Sequence, residues 1–146
     1  MQPIIDHIHI TVEDIDRAEQ YYDVLLPLLG FDIAHKEHDA VPEHEYRITE
    51  YHSSVLSIGL VSQREIFSAE KPSRRKAGAL HHVAFRVNSK EEVDELFEHI
   101  ASIPSVIVRE PQYYPEYCDD YYAFFFKDSE GNELEILAFN RSKYFT

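Results

Sequence analysis

Ile5-Asp6-His7-Ile8-His9-Ile10-Thr11-Val12 returns about half a chain later, with His7 matched to His82, as Leu80-His81-His82-Val83-Ala84-Phe85-Arg86-Val87. Both copies alternate. In the first, Ile4, Ile8, Ile10 and Val12 are the apolar positions, and His7, His9 and Thr11 share the other face. In the second, Val83, Phe85 and Val87 are apolar, which leaves His82, Ala84 and Arg86 opposite. A third alternating run, Glu133 to Phe139, puts Leu134, Ile136 and Ala138 on one face and Glu133, Glu135, Leu137 and Phe139 on the other. Strand side chains alternate with a period of two, so each strand sends one face to a core and aims the other elsewhere. Two imidazoles and a carboxylate aimed at one cavity, His7, His82 and Glu135, form a donor set for a divalent metal with positions left open for a substrate.

The recurrence implies internal duplication. After the first copy, Asp14 caps a helix whose apolar positions Ile15, Ala18, Tyr22, Leu25, Leu26 and Leu29 recur at three- and four-residue spacing, and Gly30 suits its stop. After the second, Ser89 and Glu92 make a capping box ahead of the stripe Val93, Leu96, Phe97 and Ile100. Three strand-like runs follow each helix: Phe31 to Lys36, His44 to Tyr51 and Val55 to Ser62, then Val106 to Glu110, Tyr121 to Lys127 and Glu133 to Phe139. Asp128-Ser129-Glu130-Gly131-Asn132 reads as the turn before the last of these. The order is βαβββ twice. The expected fold is one α+β domain over residues 1–146: module one 1–62, a flexible basic connector 63–79, and module two 80–140. Side by side, two such modules make a curved eight-stranded cup with helices outside and the histidine and glutamate faces within.

Composition narrows the partners. The formal charge of −13 disfavours nucleic acid and anionic membrane, because either would be repelled. The single cysteine, Cys118, excludes an internal disulfide and fits a reducing compartment; Asp119 and Asp120 beside it disfavour a reactive thiolate. No apolar run is long enough to span a bilayer, and no signal peptide is read, so a cytoplasmic protein is expected.

The ordered motifs resemble the vicinal oxygen chelate superfamily, which includes glyoxalase I, extradiol dioxygenases, fosfomycin-resistance enzymes and bleomycin-binding proteins. The likeness covers nearly the whole chain. His7 with Val12, Asp14, Tyr21-Tyr22 and Leu29-Gly30-Phe31 looks like the opening motif, and His82 with Val87 like its second copy. Asp128 to Glu135 looks like the closing motif, whose carboxylate four residues after the glycine binds metal. The resemblance implies His7, His82 and Glu135 as metal ligands, Glu135 as the catalytic carboxylate, and a divalent Fe, Mn, Ni, Co or Zn as cofactor.

Departures from the family bear on the reaction. Four-ligand glyoxalases take a carboxylate from the last strand of module one, where this chain offers only Ser57 and Gly59. Extradiol enzymes place a tyrosine ten residues before the glutamate; here that position is Phe125, and no histidine precedes it nearby. Lyase or isomerase chemistry is therefore preferred to oxygen chemistry, with a fosfomycin-type transferase a weaker third. The tyrosine-rich stretch Tyr113 to Tyr122 resembles an uncharacterised bacterial branch and adds no reaction. The residues identify no general base, although Glu133 shares the face of Glu135 and Tyr121 is a further candidate. His9 and His81 read as structural, His81 on the core-facing side. His35, His38, His44, His52 and His99 read as solvated. The competing class is a non-catalytic module that sequesters a small organic ligand. Edge strands on each module imply a homodimer, with exchange of modules between chains favoured.

Overall fold

Asp14 and Ser89 begin the two long helices as their sequences require. In the computed structural model, which describes residues 3–145, the Asp14 carboxylate accepts from the Asp16 and Arg17 backbone N–H groups at 3.1 and 3.0 Å. Helix α1 (Ile15–Leu28) then buries Ile15, Ala18, Tyr21, Tyr22, Leu25 and Leu26 along one stripe. It closes in a Schellman motif: Phe31 N–H returns to Leu26 O at 3.1 Å and Gly30 N–H to Pro27 O at 3.2 Å. Gly30 takes the left-handed conformation this needs, with φ +86°. For α2 (Lys90–Ala101), Ser89 Oγ accepts from Glu92 N–H at 3.2 Å. The Glu92 carboxylate reaches back to Asn88 N–H at 2.8 Å.

The chain forms two compact units, Met1–Pro72 and Ser73–Thr146. In the first, β1 (His7–Val12), α1, β2 (Glu37–Val41), β3 (Tyr46–His52) and β4 (Ser57–Ser62) form a four-stranded sheet ordered β1-β4-β3-β2. β1 runs parallel to β4, and the other pairs are antiparallel. In the second, β5 (Val83–Arg86), α2, β6 (Val106–Tyr113), β7 (Tyr122–Lys127) and β8 (Glu133–Ala138) repeat the topology as β5-β8-β7-β6, again with the outer pair β5–β8 parallel. A short α3 (Arg141–Tyr144) follows. The βαβββ order read from the sequence is present twice, and each unit is α+β.

One strand differs from expectation. Phe31 to Lys36 is not a strand. Phe31 completes the helix cap, and Asp32 caps a 3₁₀ turn over Ile33–His35 through Ala34 N–H at 2.9 Å, so pairing starts only at Glu37. The local Asx bond outcompetes the apolar alternation there.

Register decides which face meets the helix. Ile8, Ile58 and Tyr51 are cross-strand neighbours, as are Ile10, Leu60 and Thr49, and these rows face α1. Tyr51 is 1% exposed and donates to Asp23 at 2.8 Å; burial and the Asp23 carboxylate push its phenol well above the ordinary range. Lys36 joins the same network, 2.7 Å from Glu19 and 2.9 Å from Asp23. His38, read as solvated, is 2.8 Å from Glu19. In the second unit Phe124, Phe126, Leu134 and Ile136 are buried with Val93 and Ile100 of α2. Full burial of each such side chain contributes roughly 1.5–3 kcal/mol.

Candidate metal centre

Asp128 sets the approach to β8. Its carboxylate accepts from Glu130 and Asn132 N–H at 2.9 and 2.8 Å, and Gly131 turns the chain at φ +83°. The turn delivers Glu133 opposite Lys127 and so fixes the register of the whole strand. Leu134 and Ile136 take the helix face, leaving Glu133, Glu135 and Leu137 on the other. Glu135 lies between Ala84 of β5 and Phe125 of β7.

Glu135 is 2% exposed. Its two oxygens have different neighbours: the Tyr121 hydroxyl donates to Oε1 at 2.6 Å, and Oε2 is 3.5 Å from His82 Nε2. Burial pushes the Glu135 carboxyl above its ordinary range, while the Tyr121 bond and the His82 imidazole oppose that shift. The Tyr121 phenol is pushed far up in turn, by burial and by the carboxylate it serves. His82 stands just before β5, and its Nδ1 lies 2.7 Å from His81 Nδ1, so one ring donates to the other. His81 is exposed rather than core-facing. Strand geometry begins at Val83, so the alternation does not extend back to it.

Glu133, a candidate base, is 9% exposed and paired with Arg74 Nη1 at 2.5 Å. That arginine lies in the stretch read as a flexible connector, so part of the stretch is tied to the sheet. Tyr121, the other candidate, touches Glu135 through its hydroxyl.

His7 lies in the first unit, its Nδ1 2.9 Å from Asp6 and its ring 4.8 Å from that of His9. Ser57 and Gly59 share its sheet face, paired with His7 and His9 as the alternation required. Gly59 occupies the place in this sheet that Glu135 holds in the other. The His9 ring lies over it: a Cβ on Gly59 would sit 2.5 Å from His9 Cδ2. His9 Nε2 then meets Glu50 Oε1 at 3.0 Å, across the strand. Sequence reading missed Glu50. The signal was the alternation Thr49-Glu50-Tyr51-His52, which puts Glu50 opposite the core-facing Thr49 and Tyr51. His52 shares that face and bonds Ser57 Oγ at 2.7 Å, so it is not simply solvated.

The pair in the second unit offers an imidazole nitrogen and a carboxylate oxygen, donor types that divalent metals take. A nitrogen and an oxygen bound to one ion at about 2.1 Å stand roughly 3.0–3.4 Å apart for octahedral to tetrahedral angles, close to the His82–Glu135 spacing. Among the described residues no group of three or more His, Cys, Asp and Glu side chains is gathered for a metal. What one unit assembles by itself is two donors.

The fold has many known counterparts. A glyoxalase-like protein of Bacillus halodurans is 24% identical, covers 94% of this chain and 96% of its own, and superposes with a TM-score of 0.73. A glyoxylase/bleomycin resistance protein/dioxygenase domain from Frankia sp. EAN1pec gives 0.74 at 19% identity, over 96% of this chain and all of its own. The fosfomycin resistance protein FosX from Listeria monocytogenes, solved with Mn(II) and sulfate, gives 0.66 at 16% identity over the full length of both. No protein with a curated description matches. At these identities the neighbours establish the fold alone. The sequence pattern of the Glyoxalase/Bleomycin resistance protein/Dioxygenase superfamily matches residues 4–136, and the chain belongs to that superfamily.

Proposed function

We propose that the chain is a metal-dependent lyase or isomerase of the glyoxalase type, acting on a small substrate with neighbouring oxygens. His7, His82 and Glu135 are its metal ligands, and Glu135 is its catalytic carboxylate. The observation that carries the reading is the buried Glu135 carboxylate, one oxygen held by Tyr121 and the other turned to His82. When bound, a divalent Fe, Mn, Ni, Co or Zn supplies Lewis acidity to vicinal oxygens.

The residues around the pair do the rest. Tyr121 orients Glu135 so that Oε2 alone is free to coordinate. Phe125 and Leu137 make an apolar wall beside the carboxylate, and an apolar wall strengthens every charge interaction next to it. Phe125 has no proton to give or take, which disfavours ring-cleaving oxygen chemistry. FosX supports a divalent ion on this fold, through the Mn(II) it contains.

His7 lies in β1 and His82 just before β5, the strands at the open edges of their sheets. Edge strands pair readily, and pairing of module one with module two would add His7 to the other two ligands. We place that pairing between two chains of a cytoplasmic homodimer.

A second reading has its own observation. Tyr114, Tyr121, Phe125 and Phe139 pack around Leu137 on the Glu135 side of the sheet, an aromatic surface suited to holding a planar ligand without turnover. Elemental analysis of protein purified without chelator separates the two. The enzyme reading expects about one ion per chain; metal far below that after reconstitution leaves the binding reading.

A further inference from the structure

At the far end of the second sheet, away from the hairpin that carries Gly131, a cleft of about 860 Å³ opens between the start of α2 and the C-terminal segment. Arg86 and Arg141 line it, with Phe139, Phe145 and Tyr113 among its walls. Each guanidinium rests on an aromatic ring, Arg86 at 5.8 Å from the Phe139 centroid and Arg141 at 4.8 Å from that of Phe145. Among the described residues neither has a carboxylate partner, in a chain whose formal charge is −13. Acidic side chains are thus abundant, yet among the described residues none is paired with either of these two lining arginines. The other charges there are accounted for. Lys90 pairs with Asp94, and Asp120 accepts from the Asn140 backbone N–H at 2.9 Å, which holds its carboxyl below the ordinary range. The positive end of α2 opens on the same space through Ser89 and Lys90.

We propose that this cleft binds a small aromatic anion, its carboxylate or phosphate taken by Arg86 and Arg141 and its ring lying against Phe139 and Phe145. A planar guanidinium matches the two oxygens of either group, and two such forks give recognition that a single surface charge does not. The aromatic walls add stacking area to a ligand that carries a ring and nothing to a bare ion. The site does not depend on the metal reading. Arg86 pairs with Leu137 in the ladder, one residue pair beyond Phe85–Ile136 and two beyond the Ala84–Glu135 pair.

Titration of the full chain with benzoate, phenyl phosphate, inorganic phosphate and neutral benzamide, followed by backbone amide shifts, tests it. Saturable shifts confined to residues 86–90 and 138–145 are expected with benzoate or phenyl phosphate; the tighter of the two names the group. Inorganic phosphate should bind more weakly, and benzamide should not bind. Arg86→Gln and Arg141→Gln should each weaken the better ligand by about tenfold or more, with Arg86→Lys intermediate because it keeps charge but loses the fork. Arg47→Gln, whose guanidinium pairs with Asp16 in the first unit, should have no effect. Glu135→Gln should leave the titration unchanged while lowering metal content, so failure here and failure of the metalloenzyme reading are separable. The proposal falls if no saturable shifts appear, if benzamide binds as well as benzoate, if the arginine variants bind like the parent, or if Glu135→Gln abolishes binding.

Discussion

The two units share one topology and differ at one central position. In the second, the middle of the inner strand is Glu135, walled by Ala84 and Phe125. In the first it is Gly59, and the space is taken by the His9 ring, which reaches Glu50 on the next strand. A βαβββ scaffold thus presents the same inner-strand position twice and gives it opposite uses. One sheet buries a carboxylate that Tyr121 orients toward His82. The other removes the side chain altogether and closes an imidazole–carboxylate pair over the gap. The duplication fixes positions, and the residue at the inner strand decides the chemistry.

The largest effect should come from the carboxylate side. Glu135→Gln or His82→Ala should lower metal affinity by at least about a hundredfold, measured by competition with a chromophoric chelator. His9→Ala and His81→Ala should leave it nearly unchanged. Equal loss in His9→Ala would move the first-unit ligand from His7 to His9 and dissolve the contrast between the units.

Mixing chains that carry His7→Ala with chains that carry Glu135→Gln is the next test. Under exchange between two chains, a mixed dimer regains one intact site, and metal content should rise toward half a site per chain in the heterodimers. No recovery would mean that each chain supplies all its own ligands. A monomer at micromolar concentration in sedimentation would remove exchange altogether.

Gly59→Ala probes the other unit. Its Cβ would meet the His9 ring, so a cost of roughly 1–3 kcal/mol in denaturant unfolding is expected, and His9→Ala should rescue much of it. Equal cost in both backgrounds would show that backbone packing, not the imidazole, requires the glycine. Tyr121→Phe should be milder at the metal, about tenfold in affinity, since it removes an orienting bond and no ligand.

The smallest effect concerns acid stability. Burial pushes the Glu19 carboxyl up, but the Lys36 ammonium and His38 outweigh it, so its pKa lies below the ordinary 4.5. A lowered folded pKa contributes stability that is present above the unfolded value and is lost as pH falls through the folded one. Glu19→Gln should therefore lower stability near neutrality and flatten the decline below about pH 4.5, read from urea midpoints across pH. An unchanged acid slope would show that this network is solvent-screened.

Most of the scaffold was legible in the residues because its signals are local. Asp14, Ser89 with Glu92, and Gly30 each act within one helical turn, and strand alternation assigns a face from neighbouring residues alone. His7, Glu135, Ser57 and Gly59 lie on the faces this alternation chose, and His82, just ahead of β5, still reaches Glu135. The misread segment, Phe31 to Lys36, failed for an equally local reason, the competing Asp32 turn. The sequence by itself therefore determined the two βαβββ modules and the kind of side chain each inner face offers. Only the tertiary structure decided who meets whom there. Tyr121 on Glu135, Arg74 on Glu133 and Glu50 on His9 are contacts across strands or from a distant loop. They depend on register and side-chain reach between segments 14 to 59 residues apart in the chain, which no local period encodes.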